Sequence, residues 1–203
     1  MKSLKGFWAV LIIVIILIAD QALKIWIKTH LLLGEDIRIT NWFYLRFVEN
    51  PGMAMGIEVM GKLFLSLFRI AASGAIIYYL FGLVKKNFSL GYIVCVSMIF
   101  AGAVGNIIDS IFYGVIFNES TPFHVSTLFH PEGGYSTWLH GKVVDMFYFP
   151  LFSFNWASWM PWIGGKEFIF FQYIFNLADA SISVGIFVLL LFYRKTFSAS
   201  FEK

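Results

Sequence analysis

The feature that most constrains this 203-residue chain is a set of four apolar stretches. Each approaches the ~20 residues that a helix needs to cross the ~30 Å hydrocarbon core of a bilayer. They run roughly over residues 7–27, 63–84, 90–113 and 168–193. Only 13% of the residues are charged, too few to cover the core of a soluble protein of this size. The sequence therefore predicts one membrane domain over residues 1–203, an all-α fold with four transmembrane helices.

Basic residues near the ends of these stretches predict how the helices are oriented. They form three groups: Lys2 and Lys5, Lys85 and Lys86, Arg194 and Lys195. By the positive-inside rule, both termini face the cytoplasm, and the longer segments 28–62 and 114–167 face outward. The first stretch also has the pattern of a secretory signal peptide. We interpret it as an uncleaved helix, because its apolar face continues to Ile27 and no clean small-x-small site precedes Asp20.

The two outward segments are rich in Trp and Phe, which favour the headgroup layer of a membrane. Polar and apolar residues alternate between Ile37 and Val48, a pattern typical of a short strand pair. We therefore predict a small β-containing extracytoplasmic platform that contacts membrane lipids.

Composition also argues against several kinds of site. The net charge is only +3 and the basic residues are scattered, so no nucleic-acid partner is predicted. The single Cys95 allows no intramolecular disulfide, and the four His residues lack the H-E-x-x-H spacing of a metallopeptidase. The sequence predicts no metal and no other cofactor.

Ionisable residues within membrane segments are costly, so they persist where they pair or carry out chemistry. Asp20 and Lys24 lie four residues apart, on one helix face. They could form a neutralising ion pair, or Lys24 could be the base of a Ser-Lys dyad. No serine stands out as its partner.

Two segments repeat an Asn-x-x-Asp pattern, Asn106 with Asp109 and Asn176 with Asp179. Residues three apart share a helix face, where the amide can orient the carboxylate. A third aspartate, Asp145, lies among apolar residues. One such pair could simply hold helices together, but two pairs and a third aspartate fit that role less well. Two close carboxylates that share a proton can activate water and protonate a peptide carbonyl, as in aspartic peptidases.

Five ordered motifs carry a more specific resemblance. They are Asp20-Gln21-x-x-Lys24, Glu49-Asn50-Pro51-Gly52-Met53-Ala54, Gly102 to Asp109 (GAVGNIID), Val143 to Phe147 (VVDMF) and Phe175 to Asp179 (FNLAD). Together, in this order on a four-helix membrane chain, they resemble the motif blocks of the lipoprotein signal peptidases (signal peptidase II), a family of membrane aspartyl peptidases.

The resemblance implies a function and a site. It implies that Asp145 and Asp179 are catalytic, and that the supporting or substrate-binding residues are Asn106, Asp109, Asn176, Asn50, Gly52, Asp20 and Lys24. It also implies removal of signal peptides from diacylglyceryl-modified prolipoproteins, cut immediately before the lipidated cysteine. The expected location is the bacterial inner membrane with the site toward its outer face, and we expect sensitivity to globomycin-type inhibitors.

The chain departs from the family pattern in two places. An arginine commonly follows the aspartate of the third block, where this chain has Ser110. The segment from Ser110 to Lys142 is also longer than usual and holds a polar insertion, from Asn118 to Gly134. We predict an outer loop or lid there, with a functionless surface insertion as the alternative.

Two other classes of function remain open from the residues alone. A small transporter would use intramembrane Asp and Lys as a proton or ion relay, with polar residues along the full membrane depth. A helix-packing assembly factor would use the same residues only to hold helices together. In this chain the polar residues cluster toward one side of the predicted membrane, which favours the peptidase.

Overall fold

The computed structural model describes residues 2–52 and 61–201, and the apolar stretches form its longest helices. Helix α1 covers Lys2–His30, helix α2 covers Lys62–Lys85 and helix α3 covers Leu90–Ile108. Met53 and Ala54, the last two residues of the second motif, lie outside the described residues. The first three predicted helices are therefore present, and α1 extends beyond its predicted bounds at both ends.

The helical segment that begins with α3 ends slightly beyond the predicted range 90–113. A π-helical turn (Asp109–Tyr113) and a short helix α4 (Gly114–Ile116) follow it directly. Within the turn, the hydroxyl of Ser110 donates to the carbonyl of Asn106 at 2.9 Å. Single π turns inside α-helices frequently occur at functional sites, because the extra residue re-aims the side chains around it.

The last predicted helix begins later than expected. We expected it over residues 168–193, but helix α5 covers Leu177–Phe192 and is followed by helix α6 (Arg194–Phe201). Strand β5 (Glu167–Phe170) occupies the expected start and pairs with β4 (Phe152–Asn155). An aromatic run is compatible with either element, so hydropathy alone placed the helix start wrongly.

Three of these helices are long and apolar enough to cross a membrane. Within the described residues they are Leu4–His30, Lys62–Lys85 and Leu90–Ile116. The pair Leu177–Phe192 and Arg194–Ser200, bent by 91°, would make a fourth span if the two are counted as one. The chain is therefore a helix-rich membrane protein with three or four candidate spans.

A small antiparallel sheet follows the C-terminal end of α1. Its order is β1 (Asp36–Arg38), β2 (Tyr44–Asn50) and β3 (Val143–Tyr148). The alternation in the sequence predicted the first two strands but not the third, which comes from nearly 100 residues further along the chain. Val48 pairs with Asp145, so the sheet places the fourth motif beside the second.

Helix α3 lies at the centre of the bundle and packs against α1, α2 and α5. Its glycines make this close packing possible. A Cβ on Gly102 would lie 2.2 Å from the carbonyl oxygen of Ala178, and one on Gly105 would lie 2.7 Å from Asp20 Oδ2. The absence of side chains at these positions lets α1 and α5 bring polar groups against α3.

Two apolar clusters lie on either side of these polar groups. One packs Ala9 of α1 with Val96 of α3 and with residues of α2 and α5. The other packs Ile27 of α1 with Tyr113 and Val144. The polar residues of α1 and α3 fall between these positions in the sequence, so the site lies where the helix bundle meets the sheet.

Candidate active site

Asp145 is a carboxylate on a buried strand. It lies in β3 and is only 4% exposed. Its Oδ1 accepts a hydrogen bond from Asn176 Nδ2 at 2.7 Å, and its Oδ2 faces Asn50 Nδ2 at 3.4 Å. Among the described residues, no cation lies within ion-pair distance of it. The amides of Asn176 and Asn50 therefore replace the hydrogen bonds to water that this carboxylate loses on burial.

Asp179 lies in the first turn of α5. Asn176 caps this helix, because its Oδ1 accepts a hydrogen bond from the backbone N–H of Asp179 at 2.9 Å. The Oδ1 of Asp179 accepts from Asn106 Nδ2 at 2.8 Å. The residue is half-buried, and the positive end of the helix dipole favours a negative charge at this position.

The two asparagines join these aspartates into one unit. Asn176 Nδ2 contacts both Asp145 and Asn106 Oδ1, the latter at 3.1 Å. Asn106 in turn donates to Asp179 and accepts from Lys24 Nζ at 3.0 Å. Each amide therefore donates to a carboxylate of another element, Asn106 to Asp179 in α5 and Asn176 to Asp145 in β3. Among the described residues, neither amide donates to the carboxylate three residues further along its own segment, so that part of the sequence prediction is wrong.

The environment divides the roles of the two carboxyl groups. Burial, and after it the nearby Asp179 carboxylate, raise the pKa of Asp145 to about 7, although the amides of Asn176 and Asn50 oppose the shift. Near neutral pH, Asp145 can therefore carry a proton. Such a pair can act as acid and base in one reaction.

A second polar cluster lies deeper in the bundle and is balanced in a different way. Lys24 Nζ lies 2.9 Å from Asp20 Oδ2 and 2.9 Å from Asp109 Oδ2, and all three side chains are fully buried. Gln21 Nε2 adds hydrogen bonds to Asp109 Oδ1 at 3.0 Å and to the carbonyl of Gly105 at 3.2 Å. The cluster is an ion pair with two acids, consistent with the first interpretation of Asp20 and Lys24.

This cluster also binds the backbone next to Asp145 and Asp179. Asp20 Oδ1 accepts from the N–H of Ala178 at 2.9 Å, immediately before Asp179. Asp109 Oδ2 accepts from the N–H of Val144 at 3.3 Å, immediately before Asp145. Each buried acid therefore fixes the peptide unit that precedes one outer aspartate, which links the cluster to the geometry of the pair.

Asn50 and Gly52 form a tight turn after β2. Gly52 has a φ of +95°, and its N–H donates to Asn50 Oδ1 at 2.8 Å. A Cβ at this position would lie 2.5 Å from the side chain of Leu65 in α2. The backbone angle is the reason for glycine here, since the end of the Leu65 side chain could move aside, and the turn aims the amide of Asn50 at Asp145.

The structure thus brings together all nine residues that the sequence singled out, but it also adds three. Arg69 and Lys62 of α2 lie near the site, and Ser110 of the π-helical turn contacts Arg69. Arg69 is an ionisable residue inside an apolar stretch, and that signal was available in the sequence. In the parts of the chain that the structure describes, no group of three or more His, Cys, Asp or Glu side chains could hold a metal ion.

The segment from Ser110 to Lys142 is anchored to α1 and β2 by a separate polar cluster. The buried Lys28 binds Glu49 and also donates to Ser120 Oγ at 2.7 Å. Lys142 lies 3.1 Å from Glu49 Oε2. Burial of Glu49 works against its ionisation, but Lys28 and Lys142 still hold its pKa below the usual range. The insertion is therefore tied to the sheet, whereas its predicted role as a lid stays a prediction.

Comparison with known proteins gives a consistent result. The family model described as signal peptidase (SPase) II matches residues 12–195. A lipoprotein signal peptidase of Porphyromonas gingivalis is 54% identical, over 92% of this chain and 83% of that protein. A lipoprotein signal peptidase of Amoebophilus asiaticus is 33% identical, over 100% of this chain and 83% of that protein.

A solved structure has the same fold. It is a bacterial membrane enzyme determined by the in meso method at 2.3 Å resolution. Its TM-score to this chain is 0.63 at 24% identity, covering 94% of this chain and 90% of that one. The arrangement of helices and sheet is therefore one that a membrane enzyme is known to adopt.

Proposed function

The chain belongs to the signal peptidase II family, and on this premise we propose that Asp145 and Asp179 are its catalytic pair. As a member it is an aspartic-type peptidase that removes signal peptides from prolipoproteins. Membership does not favour the transporter and assembly-factor alternatives. The observation that carries the assignment of the pair is the bridge of Asn176 and Asn106 between the two carboxylates.

The bridge supports a division of labour between the two aspartates. Asp179, at a helix N-terminus, accepts a proton from the attacking water. Asp145, buried and close to a second carboxylate, donates its proton to the oxygen of the scissile carbonyl. The proton taken from water then reaches the leaving amine. The two groups are coupled, so the pair titrates as a unit.

The remaining motif residues hold this pair in place. Asn106 and Asn176 orient the carboxylates, and Asn50 orients Asp145 from the sheet. Asp20 and Asp109 hold the neighbouring backbone, and the single ammonium of Lys24 pairs with both. Gly52 permits the turn that carries Asn50.

The substrate and location follow from the same proposal. We expect diacylglyceryl-modified prolipoproteins as substrates, with the cut immediately before the lipidated cysteine, and inhibition by globomycin-type compounds. The inner membrane is the expected site of action, with four spans, both termini in the cytoplasm and the pair toward the outer face. The sheet would then lie in the outer interfacial layer, where exposed aromatic residues such as Trp159 and Trp162 favour contact with lipids.

The test is cleavage of a diacylglyceryl-modified prolipoprotein peptide by the purified full chain in detergent. Asp145→Asn and Asp179→Asn should each lower turnover by roughly 10³-fold or more, because each removes one proton-transfer group. Asp36→Asn is the matched control, since Asp36 is an exposed aspartate paired with Arg46 at the sheet edge. It should cut at the rate of the parent.

Thermal unfolding of the same samples completes the test. Both pair variants should remain folded, because Asn keeps the size of Asp and retains one acceptor oxygen, which can keep the shorter bond from Asn176 at position 145 and the bond from Asn106 at position 179. Cleavage at the rate of the parent by either variant would remove that residue from the pair.

A further inference from the structure

Arg69 is an ionisable residue of α2 that the mechanism so far does not use. It is half-buried, and its Nη1 donates to Ser110 Oγ at 3.4 Å. Ser110 is fully buried and donates to the carbonyl of Asn106, whose side chain binds Asp179. A chain of hydrogen bonds therefore runs from the guanidinium to the catalytic pair.

The position of Arg69 is unusual because three aspartates are near it and none of them forms an ion pair with it in the described residues. Within the described residues it forms no ion pair, although its charge acts on Asp179, Asp109 and Asp145, in that order. Lys24 neutralises Asp109, and the amides occupy the outer pair. An arginine inside a membrane segment is costly and normally pairs or does work. Arg69 has one weak partner and faces the site.

The chemistry of the substrate supplies the missing acceptor. A guanidinium carries five N–H donors in a planar fork, and Ser110 accepts only one of them. A signal peptide bound in an apolar groove presents backbone carbonyls that water no longer solvates, and each unsatisfied carbonyl costs free energy. The apolar side chains of a signal peptide offer no anion, so the carbonyls near the cut are the acceptors within reach of this fork.

We propose that Arg69 is a substrate-binding residue whose free N–H groups donate to backbone carbonyl oxygens of the signal peptide beside the scissile bond. The inference rests on the proposed catalytic pair, because the location of that pair defines where the scissile bond lies. Ser110 then acts as a positioning residue that holds one edge of the guanidinium and leaves the other edge toward the substrate.

Arg69 also adds positive charge beside the pair. The charged groups that act on it are Lys62 on α2, Asp109 on the π-helical turn, Asp145 on β3 and Asp179 on α5. The Asp20–Lys24 pair of α1 contacts Asp109. Loss of this charge should make the ionised form of the pair less stable. The acidic limb of the pH–rate profile should therefore move to higher pH, a change that a purely structural role of Arg69 would not cause.

The experiment compares Arg69→Gln, Arg69→Lys and Ser110→Ala with a control on the same helix. Lys85→Gln serves as that control, since Lys85 is an exposed lysine in the last turn of α2. Cleavage of a diacylglyceryl-modified prolipoprotein peptide gives kcat/KM and its pH profile. Affinity is measured separately, from the fluorescence of a labelled peptide on an Asp179→Asn background in which cleavage should not occur.

We expect Arg69→Gln to lower kcat/KM by about 10-fold to 100-fold, the range for hydrogen bonds to a charged group. Peptide affinity should fall with it, and the acidic limb should move up in pH. Arg69→Lys should recover the pH profile but only part of the affinity, because it keeps the charge without the fork. Ser110→Ala should cost less than Arg69→Gln, and Lys85→Gln should match the parent.

Two results would overturn the proposal. One is Arg69→Gln with the affinity and pH profile of the parent. The other is Ser110→Ala with a loss equal to that of Arg69→Gln, which would make Arg69 only a support for the π-helical turn. Failure of the catalytic pair is a separate outcome, because it would appear as normal cleavage by Asp145→Asn or Asp179→Asn whatever Arg69 does.

Discussion

The molecule holds two pairs of aspartates a short distance apart, and their surroundings differ. Asp20 and Asp109 share the ammonium of Lys24 in a fully buried cluster. Asp145 and Asp179 are joined by asparagine amides, which hold a carboxylate but do not neutralise it. An ion-paired cation favours the charged form of a carboxyl group, whereas two carboxyl groups that have no ion-paired cation can share a proton. The partner of each carboxyl group, more than its burial, separates the Asp20–Asp109 pair from the proposed catalytic pair.

Removal of the Lys24 cation should have the largest effect on stability, because the Asp20–Asp109 pair depends on it. Lys24→Met leaves the buried carboxyl groups of Asp20 and Asp109 without their shared cation, which should cost about 3–5 kcal/mol in the free energy of unfolding. Thermal unfolding in detergent measures it, and the exposed Lys85→Met serves as the control. A fully stable Lys24→Met would contradict the idea that the cluster depends on its charge balance.

The pH dependence of turnover should distinguish the outer pair from the inner one. Asp145 loses its proton as pH rises through about 7, so turnover should fall by about tenfold per pH unit above that value. Initial rates of peptide cleavage between about pH 5 and pH 9 measure it. A rate that stays flat to pH 9 would show that no proton is needed on this group.

The same pKa predicts a trend in stability. An unfolded aspartate titrates near about 3.9, well below Asp145 in the folded chain. Between these values the folded chain binds the proton more tightly, so the contribution of Asp145 to stability falls as pH rises. Asp145→Asn should therefore gain Tm relative to the parent from about pH 5 to pH 8. Equal pH dependence of Tm in the two proteins would contradict the shift.

Substitution of the bridging asparagine should separate its two roles. Asn176→Ala removes the helix cap and should cost about 1 kcal/mol of stability, whereas Asn176→Ser keeps a capping oxygen. Both variants remove the amide that stabilises the ionised form of Asp145. The alkaline limb of the pH–rate profile should thus move to higher pH in both. An unmoved limb would mean that the amide does not tune the pair.

The smallest effects should come from the insertion. Ser120→Ala removes hydrogen bonds to the buried Lys28 and Glu49 and should cost about 1 kcal/mol of stability. Glu119→Gln removes only an exposed contact with Lys142 at 3.6 Å and should cost about half a kcal/mol or less. Tm values of the two variants measure the difference. A larger loss in Glu119→Gln would place the anchor of the insertion at its surface.

The sequence predicted the first three helices well. A long apolar segment in lipid must form its backbone hydrogen bonds within the protein, and the α-helix forms all of them within the segment itself. The prediction failed where the run was aromatic. Phe168 and Phe170 lie in β5, opposite Phe154 and Phe152. Helix α5 begins only after its N-cap, Asn176. Hydropathy does not distinguish a strand of this kind from the start of a helix.

The candidate site was predictable residue by residue but not in its connections. Costly intramembrane charges and the repeated Asn-x-x-Asp pattern marked the participants. The pairing of β2 with β3 joins segments far apart in sequence, and no local pattern marks Asp145 as a strand residue. The same limit hid the contact of Arg69 with Ser110, which joins α2 to the π-helical turn.

One hydrogen bond described above ties catalysis to the order in which the chain is made. Asp20, in α1, holds the N–H of Ala178 in α5, immediately before Asp179. The two residues are 158 positions apart, so a ribosome delivers Asp20 long before Ala178. The proposed catalytic pair can therefore form only after α5 has been inserted and has docked on α1. A growing chain that has not yet reached α5 would carry Asp145 without its partner, so peptide cleavage would itself report the insertion of α5.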